Sequence, residues 1–520
     1  MGRYLIPRIW KPCKYTYKIT VKILAVWSLL TVIKFLKFVI NKLLYQSKKC
    51  YPTQKVHRKN VKFHETSVEY MSYKIWRCAK FNYTMKRYAI KNLINWKESQ
   101  NRKPLIIRGA RQVGKTWLMK EFGKTQYKKT IYINFENNDL MCELFSKDMN
   151  TNRILEGLEL EYSKFNADNT LIILDEIQEC PKALTTLKYF YENNPQYHIV
   201  AAGSLLGVAL HENVSFPVGK VDFLDLYPLS FLEFLEAIGE EKFVKLLENP
   251  ISDNIKTFKP KYVEWLKKYY YIGGMPEVVN DFVNNNDYKK ARKIQESILR
   301  AYTNDFSKHI SSIGKLKIDL LWESIPNQLT QESKKFVYKK IKQGARADEF
   351  EEALSWLINC GLVYKINRIT KPAMPIKAYE DTKAFKLFIL DVGLLCALSK
   401  LPARTLIDGD KIFTEFNGAL AEQYVLQQLK TLEDMEVAYW ISKSGNAEID
   451  FVIQTDGYVI PVEVKATTNL QAKSLKVYRE KFEPEISIRT SLADFEINNG
   501  LYNIPLFMAG KFDEILKDGK

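Results

Sequence analysis

The stretch KPLIIRGARQVGKTWLMKEF, residues 103–122, decides the fold. Its centre, Gly109-Ala110-Arg111-Gln112-Val113-Gly114-Lys115-Thr116, fits the pattern G-x-x-x-x-G-K-[ST]. The apolar run Leu105–Ile107 in front of it reads as a short strand, and the residues behind it read as a helix. Glycines let backbone N–H groups converge on phosphate oxygens, and a helix N-terminus adds a positive dipole end. Gly109, Gln112, Val113 and Gly114 form the expected cradle. Lys115 is placed to reach the β- and γ-phosphates, and the Thr116 hydroxyl to ligate Mg²⁺. ATP and Mg²⁺ are the ligands this pattern predicts.

The partner strand is LIILDE, residues 171–176. Four apolar residues suit a strand buried on both faces of a parallel sheet. Asp175 then emerges at the carboxyl end, where ligands bind in open α/β sheets. It is expected to hold Mg²⁺ through water, with Glu176 polarising the attacking water. A further apolar strand, HIVAAGS, ends at Ser204, a candidate γ-phosphate sensor. VGKVDFLDLYPLSFLEFL, residues 218–235, adds a strand at Val221–Leu226, then Pro228 and a helix.

RGARQVGKT, ILDEIQ, AAGSLL, LYPLSFLEF and, at 271–279, YIGGMPEVV together resemble the prokaryotic AAA-type P-loop ATPases that carry a C-terminal uncharacterised domain. The resemblance spans roughly residues 85–510. It implies an α/β fold with a five-stranded parallel sheet flanked by helices. Where that family's pattern places an arginine before the DFL strand, this chain has Lys220, a point charge without the bidentate fork. Neither Arg111 nor Arg300 is assigned as an arginine finger.

Farther on, PVEVKA, residues 461–466, aims Glu463 and Lys465 at one face of a strand. Asp456-Gly457 favours a two-residue type I′ hairpin, which fixes the register. Thr455 then pairs with Tyr458, Asp450 falls opposite Glu463, and Glu448 opposite Lys465. Two opposed carboxylates repel. A divalent cation shared by Asp450 and Glu463 offsets that repulsion, since Mg²⁺ takes one or two carboxylates plus waters. Lys465 is then placed to stabilise an anionic transition state. Glu422, an acid on the apolar stripe of the preceding helix, supplies a fourth group. The set resembles the D…ExK site of restriction-endonuclease-like nucleases, which implies Mg²⁺-dependent phosphodiester hydrolysis. The competing reading is a Glu448–Lys465 ion pair beside two solvated acids.

The expected organisation follows: an N-terminal extension (1–84), an AAA-type ATPase core (85–235), a helical lid (236–310), a winged-helix-like segment (311–372) and a nuclease-like domain (380–510). In the winged-helix segment a helix is expected over 331–346, with Lys334, Lys335, Lys339, Lys340, Lys342 and Arg346 set against Glu332. Such a face suits DNA phosphates. DNA and a second copy of the chain are the macromolecular partners considered. A nucleotide-driven binding switch, with the nuclease fold only recognising DNA or protein, is the rival function.

Apolar residues make up 46% of the 520 and charged residues 27%, a globular balance. The seven cysteines include no CxxC, which argues against a zinc site or a disulfide framework and for reduced, cytoplasmic thiols. The net charge of +18 is concentrated in residues 1–84, which hold 18 Lys/Arg and 2 Asp/Glu; the other 436 residues are near neutral at +2. The basicity is therefore no argument that the remainder binds nucleic acid. Within 19–45 the longest neutral run, Ile23–Ile33, has 11 residues, against about 20 needed to span a bilayer. Three readings fit this segment: a weak membrane anchor with snorkelling lysines, a poor signal sequence, or in-frame upstream sequence with the start at Met85.

Overall fold

Strand alternates with helix from the first described residues onward. The structure, a computed structural model, describes residues 85–203, 216–309, 312–331, 334–408, 414–455 and 457–518. The N-terminal extension, the 19–45 segment and Ser204 lie outside them. Helix α1 (Ala89–Glu98) precedes β1 (Leu105–Arg108), and α2 (Lys115–Gln126) follows it. Next come β2 (Lys129–Asn134), α3 (Asp139–Ser146), α4 (Thr151–Tyr162) and β3 (Thr170–Asp175). Helix α5 (Pro181–Asn193), β4 (His198–Ala202) and β5 (Asp222–Asp225) complete the layer.

These strands form one parallel sheet in the order β2-β3-β4-β1-β5. The expected five-stranded parallel sheet is present. Strands β3 and β4 are buried along their whole length, which explains their unbroken apolar runs. The P-loop after β1 and Asp175 at the end of β3 therefore share the carboxyl edge of the sheet.

The helical region comprises α6 (Phe231–Ala237), α7 (Glu241–Leu246), α8 (Asp253–Ile272), α9 (Pro276–Asn285), α10 (Tyr288–His309) and α11 (Ser312–Leu329). Ser230 and Glu233 close a capping box at the start of α6. Gly273 ends α8 at φ +74°, and a β-carbon there would lie 2.1 Å from Asp391 Oδ1. Gly274 donates its N–H to Asp391 Oδ2 at 2.6 Å. The Gly-Gly pair of YIGGMPEVV thus lets a buried aspartate from the C-terminal half dock at the end of α8.

Helix α12 (Ala347–Asn359) leads into β6 (Val363–Ile369) and β7 (Glu380–Ile389). Then follow α13 (Val392–Leu398), α14 (Ala403–Asp408), α15 (Thr414–Leu429), β8 (Glu436–Ile441), β9 (Glu448–Thr455) and β10 (Tyr458–Val464). Helix α16 (Lys473–Phe482), β11 (Ser487–Ser491), β12 (Glu496–Asn498), β13 (Leu501–Pro505) and α17 (Phe512–Asp518) end the chain. The second sheet has eight strands in the order β12-β13-β11-β10-β9-β8-β6-β7.

Two expectations are corrected here. Strand β6 pairs with both β7 and β8, so the chain does not divide between 372 and 380. The expected helix over 331–346 does not form: among its described residues only a 3-10 turn, Tyr338–Lys340, appears. The reason is tertiary. Phe336 donates its N–H to Phe385 O at 2.8 Å and stacks on the Phe385 ring, while Val337 donates to Gln328 Oε1 at 2.6 Å. With its backbone drawn onto β7 and α11, the segment is a strap and not a helix.

Helix α15 ties the halves together. Its residues 419–429 are buried on every side yet include three glutamines. Gln423 accepts from Ile389 N and donates to Ile389 O, Gln427 contacts Tyr269 OH and Asp391, and Gln428 accepts from Phe231 N. Each glutamine satisfies a polar group that burial would otherwise leave unpaired.

Candidate functional site

The P-loop runs as the glycine spacing requires. Gly109 and Gly114 have φ +144° and +97°, and Gln112 lies at +65°. A β-carbon on Gly109 would sit 2.3 Å from Leu226 O, so a larger residue is excluded by contact as well as by conformation. Lys115 folds back over the loop, donating to Gly109 O at 2.8 Å and Ala110 O at 2.9 Å. Burial pushes its ammonium down to about 8, against the raising pull of Glu176 and Asp175.

Thr116 Oγ1 donates to Asp175 Oδ2 at 2.7 Å, and Tyr132 OH reaches the same oxygen at 2.9 Å. Glu176 takes a left-handed φ of +49°, and its carboxylate accepts from Gln178 Nε2 at 2.7 Å. Gly109, Gln112, Val113, Gly114, Lys115, Thr116, Asp175 and Glu176 are thus gathered at one edge. Gln112, Gly114, Lys115, Thr116 and Glu176 border a cleft of about 570 Å³ whose wall also includes Glu136, Trp117, Pro276 and Glu277. That is room for a nucleotide. The Thr116 hydroxyl beside the Asp175 carboxylate is a donor set that fits Mg²⁺.

Two contacts at this site were not legible in the sequence. Arg87, buried, donates to Val113 O at 2.8 Å and to Tyr227 O at 2.6 Å, and its Nε lies 3.2 Å from Glu233 Oε1. It holds the P-loop from the segment before α1. Arg111 pairs with Asp305 of α10, and Tyr302 OH donates to Arg111 O at 2.9 Å. The P-loop is therefore held by the helical region. Lys220 pairs with Glu192 at 3.2 Å, away from this cleft, and Arg300 is exposed on α10 with a bond to Glu296 O.

The second group of candidates meets on the eight-stranded sheet. The hairpin register is as expected: Tyr458 pairs with Thr455, and the ladder runs to Val462 opposite Phe451. Asp450 then accepts the Val464 N–H at 2.8 Å. Lys465 lies 2.7 Å from Glu463, not against Glu448 as the ion-pair reading required. Glu448 pairs instead with Lys386 of β7 at 2.5 Å. Lys386 is fully buried and also lies 3.9 Å from Glu422. Glu422 itself pairs with Lys334 of the strap.

Burial, then the charge of Asp450, pushes both Glu422 and Glu463 up to about 7. Burial alone would lower the Lys386 ammonium, but Glu448, Glu422 and Asp450 overcome it and raise its pKa. Glu422 Oε2 and Glu463 Oε2 are buried without hydrogen-bond partners. Lys334 and Lys386 are members of this cluster that no local pattern pointed to. Among the described residues, no group of three or more His, Cys, Asp or Glu side chains is arranged to hold a metal ion.

A P-loop after one strand of a parallel sheet, with an aspartate at the carboxyl end of a strand two places away in the same sheet, defines a nucleotide-binding ATPase module. Residues 101–235 match the AAA domain family. Two domains of unknown function follow, DUF8612 at 263–405 and DUF4143 at 417–508. The chain therefore carries an AAA-type ATPase domain joined to C-terminal domains of unknown function. No curated protein matches the sequence. Among solved structures, the Walker-type ATPase PABY2304 of Pyrococcus abyssi is similar at 16% identity and TM-score 0.40, over 61% of this chain and 96% of that one. The Aeropyrum pernix ORC1 protein in complex with DNA is similar at 13% identity and TM-score 0.27, over 63% and 96%. The Thermotoga maritima RuvB Holliday junction branch migration motor is similar at 12% and 0.25, over 54% and 89%. No helix among the described residues is long and apolar enough to cross a membrane.

Proposed function

We propose that this chain is a Mg²⁺-dependent ATPase whose nucleotide cycle controls a second, metal-dependent site that cleaves DNA phosphodiesters. In the ATPase module Lys115 binds the terminal phosphates, Thr116 and Asp175 hold Mg²⁺, and Glu176 orients the attacking water. The observation that carries the second half is the convergence of Glu422, Asp450, Glu463 and Lys465, with two buried carboxylate oxygens that accept no hydrogen bond, of which only that of Glu422 has a cation, Lys386, at 3.9 Å. A buried carboxylate oxygen without a hydrogen bond is costly, and a bound cation relieves it. Mg²⁺ commonly binds through only one or two protein carboxylates, so Asp450 and Glu463 suffice without a closed cage.

Bound there, the cation supplies a polarised phosphoryl oxygen and an acidified water. Lys465, about one-third exposed, faces the same point and stabilises the charge that develops on the phosphate. The strap supports a polyanionic substrate. Lys335, Lys339, Lys340, Lys342 and Arg346 are exposed on it, while its Lys334 reaches into the cluster.

One observation favours the rival, a non-cleaving binding switch: Lys334 and Lys386 already neutralise part of the acid cluster. Incubating the full chain with linear and structured DNA, ATP and Mg²⁺ or Mn²⁺ separates the two. Cleavage that is lost in Lys465→Ala supports the nuclease. Binding without cleavage in wild type supports the switch.

A further inference from the structure

Cys142 and Cys180 meet at the seam between α3 and the N-terminus of α5. Cys180 Sγ lies 3.7 Å from Cys142 O and 3.6 Å from Ser146 Oγ, and Cys142 Sγ lies 3.9 Å from that same Ser146 Oγ. The other described cysteines stand elsewhere, Cys360 after α12 and Cys396 within α13. Cys142 is partly exposed and Cys180 is buried.

Each cysteine follows a cleft-lining stretch along the chain. Glu136 lies on the connection from β2 to α3, six residues before Cys142, and Glu176, Gln178 and Glu179 lie just before Cys180. The turn from Glu176 to Cys180 is held by two backbone bonds, Glu179 N to Glu176 O at 3.0 Å and Cys180 N to Ile177 O at 3.1 Å.

We infer that Cys142 and Cys180 are a redox-sensitive pair, closed to a disulfide by small-molecule disulfides, and that closure slows ATP turnover. The chemistry balances as two thiol–disulfide exchanges. The Cys142 thiolate attacks one sulfur of the oxidant and expels one small thiolate, forming a mixed disulfide. Cys180 then gives its proton to solvent, attacks the Cys142 sulfur and expels the second small thiol. Two protein thiols are oxidised by two electrons, and one small disulfide is reduced to two thiols. Exposure makes Cys142 the first to react. The second exchange is slow at neutral pH, because burial pushes the Cys180 thiol up to about 11, despite its place at the N-cap of α5. The bond would fasten the Glu176–Cys180 turn to α3 and restrict Glu176, while the P-loop on the other side of the cleft is untouched.

The turnover effect rests on the proposed role of Glu176; the formation of the bond does not. The experiment treats the full chain with oxidised glutathione, maps its peptides without reduction, and measures ATP turnover before and after dithiothreitol. A Cys142–Cys180 linked peptide is expected, with kcat lowered several-fold, KM little changed, and recovery on reduction. Cys142→Ser, or Cys142→Ala if serine perturbs folding, should keep normal turnover and resist the oxidant. A glutathione adduct on Cys142 alone, or both thiols unmodified, overturns the pair. A linked peptide with unchanged kcat overturns the control of turnover. A reduced protein with no ATPase activity counts against the ATPase reading instead, and the peptide map still decides the pair.

Discussion

Thr116 and Asp175, 59 residues apart, share a hydrogen bond of 2.7 Å that joins the start of α2 to the end of β3. Asp175 is buried and also accepts from Tyr132, so its carboxylate has a structural and a chemical task. Asp175→Asn should keep the fold and lose Mg²⁺-dependent ATP turnover. Asp175→Ala should also destabilise the chain by about 1–3 kcal/mol, because two half-buried hydroxyls lose their charged acceptor. Melting curves beside turnover assays check both. Equal stability of the two variants would contradict the structural half.

Arg87 and Glu233 form a buried pair on which the P-loop carbonyl of Val113 rests. Arg87→Met should cost about 3–5 kcal/mol, since Glu233 would keep an uncompensated buried charge. Arg87→Met with Glu233→Gln should recover part of that loss while still weakening ATP binding. Urea unfolding and nucleotide titration test the pair; a double variant no more stable than Arg87→Met would contradict the account.

His198 is buried between Trp96 and Tyr127, with Tyr127 OH 2.7 Å from Nδ1. Burial first, then Arg102 and Lys97, lowers its pKa from 6.5 to about 4. The folded chain therefore keeps the ring neutral where the unfolded chain protonates it. This contribution is complete above pH 6.5 and is lost as pH falls toward 4, on the order of 3 kcal/mol in all. His198→Phe should flatten the fall in unfolding free energy across that window. An unchanged slope would assign the acid sensitivity elsewhere.

Asp450→Asn should act oppositely with and without metal. In chelator it relieves carboxylate repulsion and raises stability by up to about 1 kcal/mol. With a divalent ion at one hundred times its dissociation constant, wild type gains about 2.7 kcal/mol and the order reverses. Thermal melts of the full chain read both conditions. An equal metal shift in the variant would mean that Asp450 is not a ligand.

What could be read from the sequence was local. The P-loop spacing and the apolar runs at 105–107 and 171–174 place the ATPase strands, because each strand carries its own burial pattern. The Asp456-Gly457 signal gives the hairpin register, because turn length sets pairing. What could not be read depends on distant partners. Lys386 and Lys334 join the acid cluster only once β7 and the strap are placed beside α15. The 331–346 segment looks helical by composition, yet Phe385 claims its backbone. Two signals were present and unused: the Gly-Gly of YIGGMPEVV, which requires a close approach, and the three glutamines set among the leucines and valine at the end of α15.

The most direct measurement is ATP binding and turnover by the full chain, compared among wild type, Lys115→Ala and Glu176→Gln. Wild type should bind a fluorescent ATP analogue and hydrolyse ATP only with Mg²⁺. Lys115→Ala should lose binding, as the terminal phosphates lose their fixed cation. Glu176→Gln should bind with near wild-type affinity, hydrolyse nothing and retain ATP. Wild-type affinity in Lys115→Ala, or undiminished turnover in Glu176→Gln, would contradict the account.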